Sequence, residues 1–178
     1  MEYYFDLPVS DDDIKKLHIG DIIYVSGDIF TARDAAHKMM LENPNIIPVD
    51  VSDMALYHCG PLMNKKNKEW SVVSAGPTTS SRMEIFENDF IKKFKINLII
   101  GKGYMGKDTQ KALQKYICIY ATYTGGAGAL AADRIKKVKD VYLLDKLGMA
   151  EAIWVFNVEN FGPLVISMDS YGKTLFKR

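Results

Sequence analysis

The sequence predicts a layered α/β fold with a largely parallel central sheet and an additional smaller sheet. Two observations carry this reading. A unit of apolar strand, glycine-containing loop and amphipathic helix recurs four times, and strands alternating with helices favour a parallel sheet. Strand-like segments that no helix follows lie between the first two units and toward the C-terminal end, which calls for a second sheet. The 178 residues, 48% of them apolar, read as a single domain, 1–178, large enough to bury a core.

In chain order, the first unit is IIYVSGDIFTARDAAHKMML. Thr31 and Asp34 form a capping-box-like pair there, which puts Arg33 in the first helical turn. IIPVDVSDMALYHCGPL follows as strand material without a helix. The second unit is WSVVSAGPTTSSRMEIFENDFIKKF, where Ser81 and Glu84 match an S-x-x-E box and place Arg82 at the first helical position. NLIIGKGYMGKDTQKALQKY and CIYATYTGGAGALAADRI are the third and fourth units. The tail, EAIWVFNVENFGPLVISMDSYGKTLF, reads as two strands joined at Asn160–Pro163 and then a turn at Tyr171–Lys173. The lysine-rich runs NKKNKEW and RIKKVKD read as solvated faces.

Composition narrows the partners. Lys and Arg number 23 against 22 Asp and Glu, a net charge of +1, so bulk charge draws the chain neither to nucleic acid nor to a membrane surface. No apolar stretch is long enough to span a bilayer. MEYYFDLPVSDDD lacks the basic and apolar regions of a signal peptide, so the chain reads as cytoplasmic. Cys59 and Cys118 are far apart and outside any CxxC. They read as buried structural thiols, and no metal site of the chain's own is expected.

A cation in the first turn of a helix opposes the dipole and costs about 0.3–1 kcal/mol when exposed. Two such arginines, each after a strand and a glycine turn, point to an anion held between guanidinium and backbone amides. Loops at the carboxyl ends of parallel strands share one edge. Arg33, Arg82 and Lys102 therefore face one crevice, beside the hydroxyls of Thr78, Thr79 and Ser80. The expected ligand is a small polyanion, since paired guanidinium donors suit carboxylates and phosphates equally. His37, one turn from Arg33, is a further candidate, and His58, before Cys59-Gly60-Pro61, stands on the same footing. GKGYMGKD approaches a phosphate loop but ends in Asp108, which would repel phosphate. Its expected role is to present Lys102. GAGALA has the outline of a dinucleotide fingerprint and reads as close helix–sheet packing.

Five segments in order, SGDIFTARDAAHK, SAGPTTSSRM, IGKGYMG, YTGGAGALAA and GMAEAIWVFNVENFGPLVISMDSYG, resemble the β subunit of class I (iron–sulfur) fumarate hydratase. The same module is the C-terminal domain of single-chain members and is shared with the β subunit of L(+)-tartrate dehydratase. The resemblance runs from about Leu7 to Phe176. It implies a swivelling β/β/α three-layer domain and a hydro-lyase active only with an α subunit, whose cysteines hold a 4Fe–4S cluster. It also implies a heterotetramer or a homodimer of β subunits, with fumarate and L-malate as substrates. L(+)-tartrate dehydration is the sibling alternative, and a non-catalytic anion-binding regulatory subunit the alternative of another class. Carried over onto this sequence, the resemblance makes Arg33 and Arg82 carboxylate-binding, with Lys102 and Thr79 beside them. Thr78 becomes the proton-transfer residue, with Arg82 and Lys102 in the catalytic set. The GKG loop departs from the family pattern by continuing Tyr104-Met105 where a second small residue is expected.

Overall fold

The computed structural model describes residues 1–176. In chain order the elements are β1 (Glu2–Asp6), α1 (Asp11–Ile14), β2 (Ile22–Thr31), α2 (Asp34–Glu42), β3 (Ala55–Tyr57), β4 (Leu62–Lys66) and β5 (Glu69–Ser74). A 3₁₀ turn, Ser80–Met83, leads directly into α3 (Glu84–Phe94). There follow β6 (Leu98–Gly101), α4 (Lys107–Tyr116), β7 (Ile119–Tyr123), α5 (Gly128–Arg134), β8 (Ile135–Tyr142), α6 (Leu144–Leu147) and β9 (Ile153–Met168).

Successive strand residues point to opposite faces, and here that alternation sorts the core into two. Ala55 and Tyr57, Leu98 and Ile100, Ile119 and Ala121 enter one apolar cluster. Leu56, Ile99 and Tyr120, between them in sequence, enter the other. The second cluster is sealed by the apolar stripes of α2, α3 and α4: Ala36 and Met40, Phe90 and Ile91, Ala112 and Leu113. The first is closed by β9 and by the β4–β5 hairpin, through Trp154, Phe156, Met63 and Trp70.

The large sheet is mixed. β1–β2, β2–β3, β3–β6 and β6–β7 pair in parallel, whereas β9 runs antiparallel to β7, β8 and β2. Because β9 also reaches β2, the ladder β2–β3–β6–β7–β9 closes on itself, with β1 and β8 attached outside the ring. The expected α/β class with a small second sheet is present, and that second sheet is the β4–β5 hairpin.

Three expectations change in detail. The strand of the second repeat, β5, belongs to the hairpin and not to the parallel sheet. The two tail strands are one strand, β9, bent where Asn160 and Gly162 take positive φ. Its first half pairs with β8 and its second half with β7. RIKKVKD runs from the last residue of α5, Arg134, into strand β8 at the sheet edge, with Lys136, Lys137 and Lys139 exposed along it. Charged side chains on an edge strand discourage pairing with other chains, so the solvated reading of those lysines stands within a strand. The turn at Tyr171–Lys173 is built on Asp169, which accepts the backbone N–H groups of Tyr171 and Lys173.

Candidate functional site

β2, β3, β6 and β7 are parallel, so their carboxyl ends lie at one edge and deliver Arg33, His58, Lys102 and the Gly125–Gly126 loop there. The hydroxyl-rich segment after β5 reaches the same edge by another route. The Tyr57 hydroxyl donates to Ala75 O at 2.5 Å, and Ala75 N donates to Gly128 O. Pro77 bridges Cys59, Thr78 N donates to His58 O at 2.8 Å, and Thr79 bridges Lys102. Residues 75–80 are thus laid against the strand exits by backbone bonds, which leaves the side chains of the half-buried Thr78 and the exposed Thr79 to act. Among the described residues neither hydroxyl has a hydrogen-bond partner, and Lys102 Nζ has no ion pair.

Both arginines are already engaged. Arg82 Nε and Nη2 donate to Asp34 Oδ2 at 3.0 and 2.5 Å across a half-exposed pair. Arg33 Nε lies 3.1 Å from Glu151 Oε1, an ionic contact whose angle is too bent for a hydrogen bond. The capping expectations are corrected here. Thr31 ends β2, where its hydroxyl bonds Ala152 O and Trp154 N, so it does not cap α2. Arg33 itself is the cap position, and the first-turn amide of Ala35 is met by Glu151 Oε2 from a distant part of the chain. Ser81 makes no capping bond either, because the 3₁₀ turn intervenes and puts Arg82 before α3. The anion that those helix starts called for is supplied, at least in part, by the chain's own Asp34 and Glu151.

Glu84 closes the other question raised by the sequence. Its carboxylate accepts from Gly106 N, Asp108 N, Thr109 N and Thr109 Oγ1, so it occupies the N-terminus of α4. The phosphate-loop outline therefore holds a glutamate where a phosphate would sit. GAGALA likewise resolves to packing: a side chain at Gly128 would come within 2.3 Å of Ser74 Oγ and 3.5 Å of Gly76 N.

Beneath the edge lies a fully buried set that sequence reading credited only in part. Glu87 Oε1 accepts from His58 Nε2 at 2.9 Å and stands 2.9 Å from His37 Nε2. His37 Nδ1 meets Arg33 O at 2.8 Å, and His58 Nδ1 meets Ser80 Oγ at 2.8 Å. Ser80 Oγ in turn accepts Lys102 N–H, and Ser80 N donates to Lys102 O. Burial holds the His58 pKa below its ordinary value despite the neighbouring carboxylate. Burial alone would raise that of Glu87, but the two imidazoles outweigh it and hold the carboxyl well below the usual range. His37 lies buried beneath the edge and does not face the crevice. His37, His58 and Glu87 are also the one cluster of metal-ligating types among the described residues, with ligand atoms within 4.8 Å of one another. Glu87 was missed, and Ser80, expected as a crevice hydroxyl beside Thr78 and Thr79, is buried beneath the edge. The legible signal for Glu87 was its place with Met83, Phe90 and Ile91 on the apolar stripe leading into and along α3.

Two glycines make room for these contacts. A side chain at Gly60 would lie 2.8 Å from Arg33 Nη1, and one at Gly101 would lie 1.9 Å from Ser80 Oγ. Cys59 and Cys118 are buried, and burial pushes both thiols up, which disfavours the thiolate that ligates metal. They do not fit an iron–sulfur cluster. The groove between β5 and β8, about 750 Å³, is lined by Lys68, Lys136, Lys137 and Lys139 and by none of Arg33, Arg82 and Lys102.

Fold and site together define a mixed α/β protein that gathers three cations and two unpartnered threonine hydroxyls on one loop edge, suited to a small polyanion. Comparison with known proteins narrows this. The chain belongs to the family described as Fumarase C-terminus, which it matches over residues 4–178. It is 46% identical over 99% of its length to a Methanocaldococcus jannaschii protein provisionally named L(+)-tartrate dehydratase subunit beta, covering 92% of that protein. It is 37% identical over 98% of its length to the L(+)-tartrate dehydratase subunit beta of Escherichia coli K12, covering 87% of it. A Geobacillus stearothermophilus protein provisionally named fumarate hydratase class I is 41% identical over 94% of the chain, which spans 32% of that relative.

Proposed function

We propose that the chain is the β subunit of a two-subunit hydro-lyase that reversibly hydrates a short unsaturated dicarboxylate, fumarate to L-malate. The observation that carries this is the convergence of Arg33, Arg82 and Lys102 with Thr78 and Thr79 on one edge. Arg33 and Arg82 bind the two carboxylates, exchanging their Glu151 and Asp34 partners for the substrate. Lys102 sits beside the threonines through the Thr79 bridge and adds positive charge where proton transfer takes place. Thr78 gives a proton to the substrate carbon on hydration and takes it back on dehydration. A threonine hydroxyl is a weak base, so this role depends on the neighbouring cations favouring its alkoxide. The cluster implied by the sequence resemblance has no ligands in this chain, which supports a cluster-bearing α subunit in a heterotetrameric or β-dimeric assembly. Dehydration of L(+)-tartrate is a second reading, favoured because the relatives matched over most of their own length carry that name.

The test is reconstitution. The chain is combined anaerobically with an α subunit, and fumarate and L(+)-tartrate are assayed. Turnover of fumarate supports the first reading and turnover of tartrate alone the second, whereas binding of a dicarboxylate without turnover of either would leave a non-catalytic subunit. In the active complex, Arg82→Ala raises KM and lowers kcat/KM by about 100-fold, on the order of the 3 kcal/mol lost with a charge-assisted pair. Unchanged constants remove Arg82 from the site.

A further inference from the structure

We propose that Glu87 is a positioning residue: its buried carboxylate, hydrogen-bonded to His58, holds the Thr78 and Lys102 segments in one register. The inference rests on the hydro-lyase reading and extends it below the surface that touches substrate. Glu87, His37 and His58 are wholly buried, on α3, α2 and the exit of β3. From Oε1 a chain of bonds runs outward through His58 Nε2 to Nδ1 and on to Ser80 Oγ, which accepts the Lys102 N–H. The His58 backbone takes part as well: its N–H donates to Ile100 O and its carbonyl accepts Thr78 N–H. His37 stands outside this chain: its Nδ1 donates to Arg33 O, while its Nε2, 2.9 Å from Oε1, makes no hydrogen bond among the described residues. Two of the residues that face the edge, Thr78 and Lys102, are therefore held, through their backbones, by one charged group.

Stability alone is a poor reason to keep such a group. A buried carboxylate loses its hydration, and replacing buried ionic sets with apolar residues is often neutral or stabilising. Glu87 Oε2 and His37 Nε2 make no hydrogen bond among the described residues, so the burial is incompletely compensated. What the carboxylate supplies that a leucine could not is direction, since His58 presents Nδ1 to Ser80 only while its Nε2 is held. A metal ion is the competing explanation for this trio, but His58 Nε2 is already committed to Oε1, and no fourth donor joins the cluster among the described residues.

The experiment uses Glu87→Gln, which keeps the shape and removes the charge. In the wild-type complex and the variant, KM and kcat are measured for the substrate that the wild type turns over. In parallel, backbone and imidazole ¹H–¹⁵N spectra are recorded on the full chain. The expected result is a KM increase of at least tenfold. Amide shifts should appear together at Thr78, Ser80 and Lys102 while those of β8 stay in place. Glu87→Asp, which restores charge at a shorter reach, should recover part of the KM. A variant that melts earlier but keeps wild-type KM and kcat, or whose shifts stop at His37 and His58, overturns positioning in favour of a purely structural role. Stoichiometric zinc in the purified chain, lost in the variant, overturns it as well. An inactive wild-type complex sinks the hydro-lyase reading, yet the shift pattern still decides whether Glu87 sets the two segments.

Discussion

At the scale of single residues, His58 sets a pH dependence. It is buried against Glu87, His37 and Ser80, and its folded pKa lies below the ordinary 6.5. The unfolded chain therefore binds a proton near pH 6.5 that the folded chain refuses. Stability is full above that value and declines as pH falls through it, toward the folded pKa. Glu87, held low, adds a second loss that begins only below its ordinary range near pH 4.5. Thermal melts should show Tm falling as pH drops below 6.5, with a shallower slope in His58→Gln. An unchanged slope in that variant would assign the decline to other groups. Arg33, Arg82, Lys102 and Thr78 were legible in the sequence because they lie in loops whose spacing from strands is readable. Glu87 was not, since its place comes from a partner 29 residues away, His58, and Ser80 was legible only as a loop hydroxyl, not as the buried partner of that histidine.

At the scale of elements, two helices take N-terminal partners from remote carboxylates. Glu84 meets four donors at α4, and Glu151 meets Ala35 at α2. Capping is read from sequence as a relation between neighbours three residues apart, so donors satisfied from another element escape that reading. The expected pairs Thr31–Asp34 and Ser81–Glu84 failed for this reason: Thr31 was claimed by the β9 backbone, and Glu84 by α4. Glu84→Ala leaves those donors to water and to one another. It should cost about 2–3 kcal/mol in chemical denaturation, the upper range for a cap that is charged and shared. A loss near zero would mean that α4 is held by its apolar stripe alone.

At the scale of the whole molecule, β9 is the piece that turns an open sheet into a ring. It pairs with β2 along most of its length and shares its other side between β8 and β7. Hydrogen exchange should find the amides of Val155, Phe156 and Ile166 among the slowest and those of the β4–β5 hairpin among the fastest. Equal rates would show that ring closure adds little. The sequence pattern carried the α/β class and the repeated unit, because alternation and amphipathic periodicity are local. It did not carry the closure, because a bend at Asn160 and Gly162 resembles a turn between two strands until both halves are seen on β2. Under the proposed function the paired arginines have a consequence for selectivity. An arriving anion would meet Arg33 and Arg82 with internal counterions in place, so binding would be an ion exchange whose net gain is a difference between two similar interactions. A monovalent anion would replace only one such counterion at a time and gain little, whereas a ligand with two carboxylates would replace both in a single encounter. On that reading the edge discriminates by valence before shape is tested.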